Sequence, residues 1–363
     1  MIYLNLSGLI YMKSYKIKDY RKQRWDGYKS YHTKMMTIGD CDPALPALRY
    51  LSDRFEFNLE QKYWLAFLYS TNYCVPTTFF MINEFPDFEN VDCRRVEKWW
   101  NKNKQFLFFQ TDRKKVKNFN KFVPMVESYK KLMGDSQIEV FKKFAKNNPQ
   151  DTYKAVYNFV IKNIYYVGRF STFLYLEALH AITDFNMLPD GLDLKNSESS
   201  RNGLLYACGM DEFITLHHKK ASKLLTPEVY IHLKNKLQQL HDELKSEAPE
   251  LPTNFWNIET SLCAYKKLFW GARYLGYYID RQMAEIKTME DKVKEGVDWS
   301  VLWNFRTEYF DKSVLGELMG WKGIRNEKMD LFMKAGILYE GLLQLPVNYK
   351  HIVEFSGHET IYS

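Results

Sequence analysis

Arg169 and Glu177 sit in the stretch NIYYVGRFSTFLYLEAL (163–179), which is otherwise almost wholly aromatic or aliphatic. On a helix of 3.6 residues per turn, Tyr166, Phe170, Phe173, Leu174 and Glu177 share one face. Arg169 falls on the flank with Phe173 and His180. A carboxylate inside an apolar stripe must be paired, or must be held neutral by a raised pKa. Two readings follow. One is a buried ion pair to another helix, through Arg273 or Arg281. The other is a general base or substrate anchor in a cleft.

Directly downstream lies LPDGLDLKNSESSRNGL (188–204). Pro189-Asp190-Gly191 is a turn signal. Ser197, Ser199 and Ser200 then precede Arg201, Asn202 and an apolar run. Hydroxyls, a guanidinium and a new helix N-terminus suit an anion; ordinary helix capping is the plainer reading. Adjacency in the chain predicts that this turn and the Arg169/Glu177 helix build one pocket.

The net charge of +7 is uneven. Between Arg94 and Lys146 there are 15 Lys/Arg against 5 Asp/Glu, so the rest of the chain is slightly acidic. Within this region FLFFQTDRKKVKNFNKF (106–122) carries Arg113, Lys114, Lys115, Lys117 and Lys121 after a cap at Thr111 or Asp112. Upstream are Arg94, Arg95, Lys98, Trp99 and Trp100. Cations neutralise phosphates and aromatic rings stack on exposed bases, so the pattern suits DNA; a solvated helix face is the alternative. Asp40 and Asp42, or Glu84, Asp87, Glu89 and Asp92, have the oxygen ligands a hard cation needs. Their spacing matches no standard loop, and no metal site is expected. The five cysteines are scattered, with no CxxC and no HExxH, which fits a reducing compartment. P-loop, GxSxG and GxGxxG motifs are absent.

The elements that must hold these residues read as helices. NLEQKYWLAFLY (58–69) starts with Asn58 and Gln61 in a capping-box pattern, and Ser136 with Glu139 repeats it. Thr226 and Pro227 open a helix whose Val229, Leu233, Leu237, Leu240 and Leu244 lie on one face. A long helical pattern covers about 257–294, broken at Gly271 or Gly276, and 298–311 and 326–338 follow. Strands are expected only near the N-terminus. The fold class is therefore mainly α: a multi-helical body with few or no strands, with a DNA-glycosylase-like scaffold as one option. The expected division is an N-terminal extension (1–39), a helical core carrying the basic region and the site (40–250), and a C-terminal helical subdomain (251–363). One continuous helical body is the alternative. No apolar run reaches the roughly 18–20 residues that span a bilayer. The start MIYLNLSGLIYM lacks a basic lead and a cleavage site, so no signal peptide is expected; Met12 and Met35 are alternative starts.

The ordered set DCDPALPALRYLSDRFEFNLEQKYWLAFLYSTNYC, NEFPDFENVD, WW, FQTDRKKVKNFNKF, VESYKKLMG, VGRFSTFLYLEAL and LPDGLDLKNSESSRNGL resembles a phage family. Its members are called amino acid:DNA transferases, earlier alpha-glutamyl/putrescinyl thymine pyrophosphorylases. The resemblance covers roughly residues 40–210. It implies hypermodification of DNA bases in the cytoplasm of an infected bacterial host. An amino acid or polyamine amine attacks a pyrophosphorylated 5-hydroxymethyl pyrimidine in duplex DNA, and pyrophosphate leaves. That chemistry assigns Glu177, then Asp190, to the amine proton, and Arg169 with Ser197, Ser200, Arg201 and Asn202 to the pyrophosphate. Arg94, Arg95, Arg113, Lys114, Lys115, Lys117 and Lys121 are assigned to the DNA backbone. No cofactor is required; magnesium on the pyrophosphate is compatible. No membrane partner is expected. A non-catalytic helical DNA-binding protein and a base-excising glycosylase are the competing readings.

Overall fold

Helix boundaries follow local chemistry. In the computed structural model, which describes residues 24–110, 113–214, 221–268, 273 and 275–315, every regular element is helical. In chain order these are α1 (Arg24–Thr37), α2 (Ala44–Arg54), α3 (Leu59–Asn72), α4 (Val75–Glu84), α5 (Cys93–Asn103) and α6 (Lys114–Asn118). Then come α7 (Phe122–Met133), α8 (Gln137–Lys142), α9 (Pro149–Asn163), α10 (Arg169–Thr183) and α11 (Glu198–Ala207). The last five are α12 (Pro227–Glu247), α13 (Phe255–Leu268), α14 (Tyr277–Lys292), α15 (Ser300–Tyr309) and α16 (Lys312–Leu315).

Asn58 forms the full capping box with Gln61 at the start of α3. At α8 only half of the expected box exists. Ser136 accepts from the Glu139 amide, but the Glu139 carboxylate pairs with Lys142. The α8 start is closed instead by Glu60, whose carboxylate accepts from the Ser136 hydroxyl at 2.6 Å and the Gln137 and Ile138 amides at 3.0 and 3.1 Å. Pro227 does open α12, and Leu233, Leu237, Leu240 and Leu244 form its buried stripe. The break in the 257–294 pattern includes Gly276, at φ 93°, a left-handed conformation that glycine adopts without strain. Gly271, the segment 326–338 and the N-terminal strands lie outside the described residues.

The residues group into two compact units. One comprises 1–42, 191–280 and 310–363; the other comprises 43–190 and 281–309. The division expected at 39/40 and 250/251 follows chain order, whereas these units collect segments by packing.

The second unit is built around α3. Phe67 stacks on Tyr129 at 3.7 Å between ring centroids, and the Tyr129 and Tyr175 hydroxyls lie 2.7 Å apart. Tyr175 belongs to α10, which packs along α3. In the first unit α13 packs against α1 and α11. The Ser261 hydroxyl lies 2.7 Å from the Tyr28 hydroxyl and 2.8 Å from His32 Nδ1, all three buried. Asp40, fully buried, closes the start of α14. Its carboxylate accepts from the amides of Gly276 (2.8 Å), Tyr278 (2.8 Å) and Ile279 (3.0 Å).

Two outcomes follow from this packing. A Cβ on Gly203 of α11 would lie 2.3 Å from the backbone oxygen of Leu262. Gly203→Ala is therefore predicted to cost about 1–3 kcal/mol, a typical overpacking penalty, read as a lowered Tm. His32, pushed down to about 4 by burial, is neutral when folded. The unfolded chain then binds the extra proton, so His32 makes the fold lose stability as pH falls from about 6.5 towards 4. The loss approaches about 3 kcal/mol. Burial pushes Asp40 the other way, up to about 8 against its three amide donors, so its stability slope in that range is opposite. The difference in urea-unfolding free energy between wild type and His32→Asn cancels Asp40, and it should move against wild type by about 3 kcal/mol as pH falls from 7 to 4.

Candidate active site

Gly168 is the N-cap of α10, so the helix begins at Arg169. Tyr166 does not share the helix face expected of it. It precedes the helix and sits at φ 59°, where the chain turns between α9 and α10. Arg169 is half-buried in the first turn, and Glu177, two turns further on, is 4% exposed. Tyr153 of α9 is among its neighbours: its phenol is pushed up by burial first, then by the charges of Tyr157 and Glu177. Arg281, one of the two expected partners of Glu177, donates from Nε to Glu285 Oε1 at 2.9 Å on its own helix. Asp190 is exposed and pairs with Lys154 at 2.7 Å.

A second polar group of the same unit surrounds the α3–α4 junction. The Asn72 side chain accepts from the Cys74 amide (2.8 Å) and the Thr78 hydroxyl (3.1 Å), and its carbonyl accepts from the Gln110 amide at 3.1 Å. The Gln110 side-chain amide donates to Glu285, to which Cys74 is also hydrogen-bonded. Burial pushes the Glu285 carboxyl up, while Arg281 pulls it down. Three residues after Gln110, the Arg113 guanidinium lies 4.8 Å over the ring of Phe170, next to Arg169. The Phe170 ring in turn meets Tyr73 edge-on, 6.1 Å between centroids. This places two guanidinium residues, Arg113 and Arg169, about the first turn of the helix that carries Glu177.

The cations expected on DNA separate by environment. Arg94, Lys114 and Lys115 are exposed. Arg95 is exposed and pairs with Glu84 at 2.6 Å. Lys117 is half-buried, donates to the Leu107 carbonyl at 2.6 Å, and is pushed down by burial. Lys121 donates to the Tyr165 hydroxyl at 3.0 Å beside two exposed rings, Tyr165 and Tyr166. Arg113 is buried. Trp99 and Trp100 are core residues at 8% and 1% exposure and offer no stacking surface, whereas Phe119 is 60% exposed. Thr111 and Asp112 lie outside the described residues, and Arg113 occupies the N-cap position of α6. The acidic clusters have local roles: Asp40 caps α14, Asp92 caps α5, Asp87 accepts from Gln61, and Glu84 pairs with Arg95.

The serine-rich turn belongs to the first unit. Ser197 is the N-cap of α11, but its side chain makes no capping bond; it accepts from the Ser200 hydroxyl at 2.7 Å. Arg201 folds back on the carbonyls of Leu194 and Lys195, at 3.1 and 2.9 Å. Ser200 and Asn202 are buried. From α13, Lys266 donates to the Ser199 carbonyl (2.6 Å) and hydroxyl (3.0 Å), and burial pushes its ammonium down. Cys263 accepts from the Ser199 hydroxyl at 2.9 Å and from Lys267 at 3.3 Å.

A family model described as amino acid:DNA transferase matches residues 36–274, which include Arg113, Arg169, Glu177 and the α11 turn. The chain belongs to the amino acid:DNA transferase family. It is a DNA-modifying transferase, and the family's reaction joins an amino acid to DNA. The chain is also similar to a serinyltransferase of Salmonella phage ViI, 28% identical over 297 residues that cover 77% of this chain and 71% of that protein. No solved structure matches. Among the described residues of this transferase, no helix is long and apolar enough to cross a membrane.

Sequence reading missed Gln110, Tyr73, Cys74 and Glu285. A polar amide inside FLFFQ hints at Gln110, since a buried amide needs partners. Nothing in the sequence around Glu285 marks it out from any other acidic helix residue.

Proposed function

We propose that this transferase attaches the amine of an amino acid or polyamine to a pyrophosphorylated 5-hydroxymethyl pyrimidine already present in duplex DNA. The amine nitrogen forms a bond to the exocyclic methylene carbon. The bond from that carbon to the pyrophosphate oxygen breaks, and its electron pair leaves with pyrophosphate. The proton lost by the amine passes to a carboxylate. The observation that carries this reading is the make-up of α10: Arg169 in its first turn, the following Phe170 under the Arg113 guanidinium, and the buried Glu177 two turns on. Cations held where charge develops on a leaving group lower the barrier. A carboxylate within reach of the amine can take its proton. Glu177 is assigned that role, with Asp190, exposed and paired with Lys154, as the second choice.

The target base has to leave the stack to be reached. Exposed Arg94, Arg95, Lys114 and Lys115, with Lys117 and Lys121, supply backbone contacts. Ser197, Ser200, Arg201 and Asn202 at the α11 start are assigned to substrate phosphate on the chemistry alone. Magnesium on the pyrophosphate is compatible with the reading and not required by it. The reaction belongs in the cytoplasm of the infected host, where the DNA is. The name of the ViI relative makes serine the first donor to test.

Purified protein, pyrophosphorylated hydroxymethyl DNA and a pool of amino acids and polyamines should yield a new nucleoside by mass spectrometry. Arg169→Ala and Glu177→Gln should each lower its rate at least about 100-fold, the usual scale for removing a group that acts in the transition state, with circular dichroism unchanged. Normal modification by both variants would overturn the assignment; abasic sites instead of a new nucleoside would point to base excision.

A further inference from the structure

Arg113 reads in the sequence as one cation among many, but its surroundings differ from theirs. It is 6% exposed, whereas Lys114 and Lys115 are exposed. Cations that track duplex phosphates are spread over an exposed face, as Lys114 and Lys115 are, whereas a cation that serves one reacting group is held in place by protein around it. The Arg113 guanidinium instead lies over Phe170, at the end of α10 where Arg169 stands. Stacking on a ring with a planar fork of donors is what arginine does and lysine does not.

Arg113 is also held from behind. Its amide donates to the Gln110 carbonyl at 2.7 Å, and the Gln110 amide donates to the Asn72 carbonyl at 3.1 Å. The Gln110 side chain donates to Glu285 Oε1, which also accepts from Arg281 Nε. Glu285 is 7% exposed and lies beyond residue 274, outside the family-matched span. A carboxylate there fixes the Gln110 side chain and with it the backbone turn that presents Arg113.

We propose that Arg113 is a second cation of the reacting centre, contacting the departing pyrophosphate with Arg169, and that Glu285 is its positioning residue, acting through Gln110. The assignment rests on the function proposed above. It removes Arg113 from the DNA-backbone set and adds a residue from α14 to the site.

The full-length protein tests this in two arms. In the first, binding to unmodified duplex DNA is measured against salt. Lys114→Ala with Lys115→Ala should lower the slope of log K on log salt by about two, roughly 0.9 per lost phosphate contact. Arg113→Gln should leave the slope unchanged. In the second, turnover of pyrophosphorylated DNA is followed. Arg113→Gln should lower kcat about 100-fold or more, and Arg113→Lys, which keeps the charge and the fold, about 10-fold. Glu285→Gln should lower kcat about 10-fold without changing KM for the amino acid. Combined with Arg113→Gln it should add nothing, because both act through one group. A slope that falls by about one in Arg113→Gln with kcat intact overturns Arg113's place, whatever the substrate. Additive losses in the double variant overturn the positioning role of Glu285. No product from wild type sinks the substrate reading itself, with the salt arm still reporting separately on Arg113.

Discussion

Removing an ionised side chain from water costs several kcal/mol unless fixed donors or an opposite charge replace the water. That constraint organises much of this protein. Glu60 is enclosed by the first turn of α8, and Lys266 by the carbonyl and hydroxyl of Ser199, whereas Asp40, pushed up to about 8 by burial, gives up its charge near neutral pH despite three amides at the start of α14. Glu285 is met by Gln110 and Arg281. Such pairs are weak evidence for net stability, because well-packed apolar residues often do as well. Their effect is to permit only one arrangement. A carboxylate that needs a particular amide fixes the backbone carrying that amide, and segments distant in the chain are locked into register.

The same constraint bears on the candidate site. A carboxylate or guanidinium held in a dry setting by its neighbours needs no rearrangement when charge develops on a substrate. Arg113, Arg169 and Glu177 are all gathered about one helix of the second unit, α10, which packs along the aromatic spine of α3. Phe67 stacks on Tyr129, whose hydroxyl meets that of Tyr175, so the core ties α10 to α3.

Much of the helical frame was readable because its signals are local. Asn58 with Gln61 is a complete capping box, Pro227 opens α12, and the leucine stripe of α12 faces inward. Local reading failed where a distant group intervened. At α8 Ser136 keeps its half of the capping box, and Glu60 supplies what sequence spacing gives to the Glu139 side chain. Tyr166 was placed on a helix face because periodicity alone does not detect the turn that separates α9 from α10. Trp99 and Trp100 looked like stacking platforms among lysines, yet the strongly two-faced α5 turns both inward. The candidate site was half legible. Arg169 and Glu177 stand out as charges in an apolar stretch, and the structure buries Glu177 and half-buries Arg169. The pairing of Gln110 with Glu285, 175 residues apart, leaves no trace in either neighbourhood. The basic run likewise does not say which of its cations is buried.

Membership of the amino acid:DNA transferase family makes the reaction a transfer of an amino acid onto DNA, and the mechanism proposed for it adds a pyrophosphate that departs as the new bond forms. The most direct measurement is stoichiometry in one reaction: inorganic pyrophosphate released against isotopically labelled serine retained in DNA, both followed to completion. One pyrophosphate is expected for each serine attached, with no loss of bases. Serine attached without pyrophosphate release, or pyrophosphate released while the label stays in solution, would contradict it.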